Sequence, residues 1–168
     1  MKIAFRLLGP RRLIAPVGIA LLAGLAFAAG AQSEPPLTYS LAAQPGDLTV
    51  DQVPGPGPAK KYSEDFTLTI TNTSDTDYEG EAPTCQLLDV EIFREVASGD
   101  KSVWKWSNGM MFCQMVTPVV IPAGLSWQGK ATWSFMATDV KDGKYKAVAT
   151  FIPSSTTTAK LFEIKTTH

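Results

Sequence analysis

The sequence predicts an all-β fold, an antiparallel sandwich of seven to eight strands, and three observations carry that prediction. Apolar residues recur with a period of two: Phe66, Leu68 and Ile70 alternate with Thr67, Thr69 and Thr71, the pattern of a strand with one face buried and one in water. Turn chemistry breaks the chain repeatedly, at Asn72-Thr73-Ser74-Asp75, Ala97-Ser98-Gly99-Asp100, Asn108-Gly109, Pro122-Ala123-Gly124 and Lys141-Asp142-Gly143. No window beyond the first 31 residues carries a helical apolar stripe.

The N-terminus stands apart from this pattern. Lys2, Arg6, Arg11 and Arg12 form a basic stretch without an acidic residue, and a run from Leu13 to Ala28 follows, apolar apart from Pro16, Gly18 and Gly24. Ala29-Gly30-Ala31 then offers a small-x-small cleavage signal, which places the cut between Ala31 and Gln32. The expectation is a signal peptide over residues 1–31 and an exported protein, periplasmic or extracellular. An uncleaved segment is the alternative, and only in that case would the chain meet a membrane. No cysteine directly follows the run, which argues against a lipid anchor.

Cleavage would remove those four basic residues from the chain's 15 Lys+Arg. That leaves 11 against 16 Asp+Glu, a formal charge of −5. A mildly acidic chain lacks the basic footprint that nucleic acid requires, so no nucleic-acid partner is expected. Cys85 and Cys113 both remain. In an oxidising compartment two thiols make a disulfide the default, which would contribute about 3–4 kcal/mol by closing the loop between them. The alternative is two small buried thiols.

Residues 32–60 read as an extended N-terminal segment. Leu37 to Val50 holds a possible first strand, broken at Pro45-Gly46-Asp47, and Pro54-Gly55-Pro56-Gly57-Pro58 ends the segment as a loop. The sandwich domain is predicted over 61–168. After the Phe66 strand, Leu88, Val90 and Ile92 mark a second, and Val103 to Ser107 a third with Trp104 and Trp106 on one face. Met111 to Ile121 is expected to continue extended. Ser126 to Phe135 follows, with Trp127 and Trp133, and then Tyr145, Ala147, Ala149 and Phe151 on one face. Ala159 to Lys165 is the last strand. Gly143-Lys144-Tyr145-Lys146-Ala147 has the Gly-x-Tyr-x-small shape of a tyrosine corner, which makes the predicted sandwich immunoglobulin-like.

Catalytic chemistry finds little support. The only histidine, His168, is the last residue, and no nucleophile elbow, zinc-protease motif or phosphate loop occurs. No catalytic residue, metal ligand or cofactor is therefore predicted. Asp89 and Glu91 share a strand face about 6.5–7 Å apart, which reads more simply as a solvated face than as a glycosidase pair. Asp75, Asp77 and Glu79 with Gly80 imitate half of a calcium loop, but Gln86 stands where a bidentate Glu belongs. Asn72-Thr73-Ser74 fits a glycosylation sequon. Trp104, Trp106, Phe112, Trp127 and Trp133 are either core or an exposed platform for sugar rings or a partner. The need of a small sandwich for core favours burial, with Lys105 and Ser107 facing water.

The blocks Phe66 to Ser74, Ser102-Val103-Trp104-Lys105-Trp106-Ser107, Met111-Phe112, Ile121-Pro122-Ala123-Gly124, Trp133 and Gly143-Lys144-Tyr145 resemble the intracellular proteinase inhibitor (BsuPI) domain family, from about Lys61 to about Phe151. Val103, Trp104, Trp106, Ser107, Phe112, Pro122, Gly124, Trp133, Gly143 and Tyr145 are the motif residues. The resemblance implies a non-catalytic immunoglobulin-like sandwich that binds a serine proteinase through surface loops, with Glu95 to Lys101 or Ala137 to Gly143 as the expected contact. It carries over no reactive-site residue. An envelope structural or protein-interaction module is the alternative function, and carbohydrate binding a weaker one.

Overall fold

The computed structural model describes residues 36–52 and 57–167. The predicted signal peptide, the Ala31/Gln32 junction, most of the Pro/Gly loop and His168 lie outside these residues. The described chain is all-β: β1 (Leu37–Gln44), β2 (Leu48–Asp51), β3 (Lys61–Asn72), β4 (Tyr78–Ala82), β5 (Leu88–Val96), β6 (Gly99–Lys105), β7 (Thr117–Ile121), β8 (Ser126–Met136), β9 (Gly143–Phe151) and β10 (Thr156–Thr167). Single 3₁₀ turns occupy Ala137–Asp139 and Ile152–Ser154.

These strands form a three-stranded sheet in the order β1-β3-β8, a five-stranded sheet β2-β10-β9-β5-β6, and a β4-β7 pair. Ten strands exceed the seven to eight expected because β2 and β4 are only four and five residues long, too short to show a period. The pairing is antiparallel except that β2 runs parallel to β10, Leu48 opposite Ile164. The reason lies at Pro45-Gly46-Asp47, where Gly46 takes a positive φ of 91° and the chain leaves the edge of one sheet for the edge of the other. Asp47 fastens the crossing by accepting the Glu163 N–H at 2.8 Å.

The period-two residues point where the alternation predicts. Phe66, Leu68 and Ile70 of β3, Leu88, Val90 and Ile92 of β5, and Tyr145, Ala147, Ala149 and Phe151 of β9 are all buried in one core. Aromatic rings close that core between the three- and five-stranded sheets. Phe66 meets Phe162 at 5.9 Å, Trp127 meets Phe151 at 5.0 Å and Trp133 meets Tyr145 at 6.0 Å between centroids. At the start of β9 the Tyr145 hydroxyl donates to the Lys141 carbonyl at 2.8 Å and accepts its N–H at 3.2 Å, so the corner is closed as its sequence shape predicts.

Asn72 shows why a polar residue ends β3. It is fully buried, and its Nδ2 donates to the carbonyls of Thr76 (2.7 Å) and Ile121 (2.9 Å), while Oδ1 accepts the Ser74 N–H and hydroxyl. Its own backbone meets Gly124 N–H and Leu125 C=O. Gly124 has φ +71°, a value that favours glycine, so the Pro122-Ala123-Gly124 turn folds onto Asn72. The sequon is thereby ruled out as a glycan acceptor in the folded chain, because the amide that would carry the sugar is buried and engaged.

Candidate functional site

The Trp104 segment departs from its predicted geometry. Strand β6 stops at Lys105, so Trp104 and Trp106 do not share a strand face. Two local events cause this. Ile92 pairs with Trp104 but Phe93 pairs with Ser102, which leaves Val103 as the extra residue of a β-bulge. Past Lys105 the carboxylate of Asp89 captures the chain end, accepting Ser107 Oγ at 2.8 Å and Ser107 N–H at 3.2 Å. Ser107 thus faces a carboxylate rather than water. Lys105 lies between the two strand-face acids, 3.3 Å from Asp89 and 3.8 Å from Glu91, which accounts for that pair as an ion-pair cluster holding a turn. The two half-buried indoles consequently go to different places, Trp104 onto Trp133 (6.4 Å) and Trp106 onto Phe112 (5.9 Å).

Beyond this turn the chain makes a loop. Gly109 at φ +79° and the Met110 N–H to Ser107 carbonyl bond (3.1 Å) complete the predicted Asn108-Gly109 turn. Residues 110–116 are not a strand, and only Thr117–Ile121 of the predicted extended run is β7. The Phe112 ring turns inward onto Trp106, and the sulfurs of Cys113 and Cys85 lie at disulfide distance with Cα atoms 5.4 Å apart. The Cys85 N–H also donates to the Cys113 carbonyl at 3.3 Å. Met110, Met111, Met115 and Val116 point outward, and Met111 is 99% exposed. From Trp106 to Gly129 the sequence contains no charged residue. The sequence names the motif residues of this segment without showing their placement, and it does not single out the outward methionines, whose signal is that uncharged run.

The motif residues divide among four places. Val103, Trp104, Trp133 and Tyr145 line a cleft of about 420 Å³ together with Arg94 and Lys101. Trp106, Ser107 and Phe112 form the base of the Met111 loop, while Pro122 and Gly124 cap β3 at a separate turn and Gly143 (φ +139°) opens β9. The two loops expected as contacts are tightly made. Glu95 to Lys101 is a hairpin with Val96 paired to Gly99, and Ala137 to Gly143 sends Ala137 and Val140 into the core. Asp77 of the calcium-like stretch accepts the Ala123 N–H at 2.9 Å, and no cluster of three or more metal-ligating side chains occurs among the described residues.

One titratable group escaped sequence reading. Glu64 occupies the inward face of β3 two residues before Phe66 and is fully buried, with Oε1 accepting the Gly46 N–H at 2.8 Å and Oε2 unpartnered among the described residues. Burial pushes its carboxyl up to about 7, partly offset by the Gly46 bond and reinforced by the charges of Asp65 and Asp47. Between the ordinary value of 4.5 and about 7 the folded chain binds more protons than the unfolded one, so stability falls as pH rises through that window. The loss is on the order of 3 kcal/mol above it. Glu64→Gln keeps the acceptor for Gly46 without the charge. Urea unfolding should give the variant a higher midpoint at pH 8 and no advantage at pH 4; equal midpoints at pH 8 contradict this.

Comparison with protein families matches residues 57–155 to the model of the intracellular proteinase inhibitor family, BsuPI. No curated protein matches the chain significantly. The matched span runs from before β3 through β9, so it contains the bulge, the clipped loop and the tyrosine corner together. The chain belongs to the intracellular proteinase inhibitor (BsuPI) family, and proteinase inhibition is the function to which that membership points.

Proposed function

We propose that this protein is an exported, non-catalytic inhibitor of a serine proteinase, built on an immunoglobulin-like sandwich and released by cleavage after Ala31. Family membership carries the inhibitory part of the reading. Two facing sheets and the closed Tyr145 corner support the immunoglobulin-like description. The basic and apolar N-terminal stretch supports export, as does a cysteine pair at disulfide distance, an arrangement suited to an oxidising compartment. A rigid sandwich holding a preformed loop can block a cleft without chemistry of its own, because little ordering cost remains at binding. The test is titration of the purified, oxidised chain against a panel of serine proteinases. Stoichiometric loss of activity for at least one enzyme is expected; full activity of every enzyme at micromolar chain rejects the reading.

A further inference from the structure

We infer that the Met110–Val116 loop is the segment that enters the proteinase cleft, that Met111 fills the enzyme's primary specificity pocket, and that this pocket is apolar. The inference rests on the inhibitory function proposed above and adds the loop, the anchor residue and the enzyme class.

Three features single out Met111. It is 99% exposed, whereas both neighbouring segments are fixed. On one side Met110 bonds to Ser107; on the other Phe112 packs on Trp106, and Cys113 is clipped to Cys85. A large apolar side chain held fully in water on a backbone anchored from both directions is presented for insertion at reduced cost, since only the side chain's rotamers, and not the main chain, need ordering on binding. The main chain at Met111 is free to pair as well: neither its N–H nor its carbonyl has a hydrogen-bond partner among the described residues. Serine proteinases hold a substrate segment by strand-like backbone bonds and read one side chain in a pocket.

The two loops that the resemblance suggests as contacts lack these properties. The Glu95–Lys101 hairpin uses its backbone groups in the β5–β6 ladder, and Ala137 and Val140 pull their loop inward. Charge then selects the enzyme class. With no charged residue between Trp106 and Gly129, the loop offers no cation to a pocket floored by a carboxylate. A subtilisin-like or chymotrypsin-like pocket fits a thioether chain.

The test uses the full oxidised chain and three variants: Met111→Asp, Met111→Lys and, as a control on β10, Leu161→Asp, where the leucine is 69% exposed. The proteinases are one of subtilisin type, one of chymotrypsin type and one of trypsin type. All variants should melt with the parent, since neither side chain is buried. Met111→Asp should weaken inhibition of the apolar-pocket enzyme by about 10–100-fold. Leu161→Asp should leave it unchanged, and Met111→Lys should gain inhibition of the trypsin-type enzyme. Inhibition by the parent that Met111→Asp alters less than about twofold overturns the loop assignment while leaving the inhibitory function intact. Parental inhibition of the trypsin-type enzyme alone overturns the apolar pocket. A parent that inhibits none of the three overturns both the inference and the function beneath it.

Discussion

Trp133→Ala is expected to destabilise the fold by about 3–5 kcal/mol, the cost of emptying a large aromatic site in a core that cannot fully collapse. Trp133 is 4% exposed on β8 and touches rings from both main sheets. Phe135 lies at 4.4 Å on its own strand, and Tyr145 of β9, Trp104 of β6 and Phe162 of β10 lie at 6.0, 6.4 and 6.5 Å. Removing it leaves a void between the sheets and strips the inner wall from the cleft at Arg94 and Lys101. Thermal and urea denaturation should show a melting temperature lower by more than about 10 °C. A cost below about 1.5 kcal/mol would mean the two sheets are held elsewhere.

Opening the Cys85–Cys113 clip is the second large effect. A link across 28 residues restricts the unfolded chain enough to contribute about 3–4 kcal/mol. Reductant, or the double change Cys85→Ser and Cys113→Ser, should therefore lower the urea midpoint by a corresponding amount. The loss also frees one end of the Met111 loop, so inhibition should weaken at concentrations where the fold survives. Because Trp106 and Phe112 still anchor the loop, the effect on inhibition should be partial. A midpoint indifferent to reductant would contradict the clip.

The strands with a clean period were legible, because burial on one face imposes a two-residue rhythm that composition displays directly. Phe66 to Ile70 and Tyr145 to Phe151 are of this kind. Glu64 shows the limit of that rhythm: it stands on the same buried face, but a carboxylate carries no apolar signal and reads as a surface residue. Trp104 and Trp106 misled for a related reason. Spacing assumes a regular strand, and the bulge at Val103 and the Asp89–Ser107 bonds are long-range events that no local window contains. The short strands β2 and β4 were hidden by length, and the parallel pairing of β2 with β10 joins residues too far apart in sequence to be inferred. The tyrosine corner, by contrast, is closed within five residues and could be read outright.

Whether the chain occupies a proteinase's substrate cleft is tested most directly by offering it the same enzyme with that cleft free and with it filled by a covalent peptide inhibitor. Size-exclusion chromatography of the two mixtures reports the complex. The chain should co-elute with the free enzyme and separate from the blocked one. Co-elution with both would place the contact outside the cleft, and co-elution with neither, for every serine proteinase tried, would contradict the inhibitory function itself.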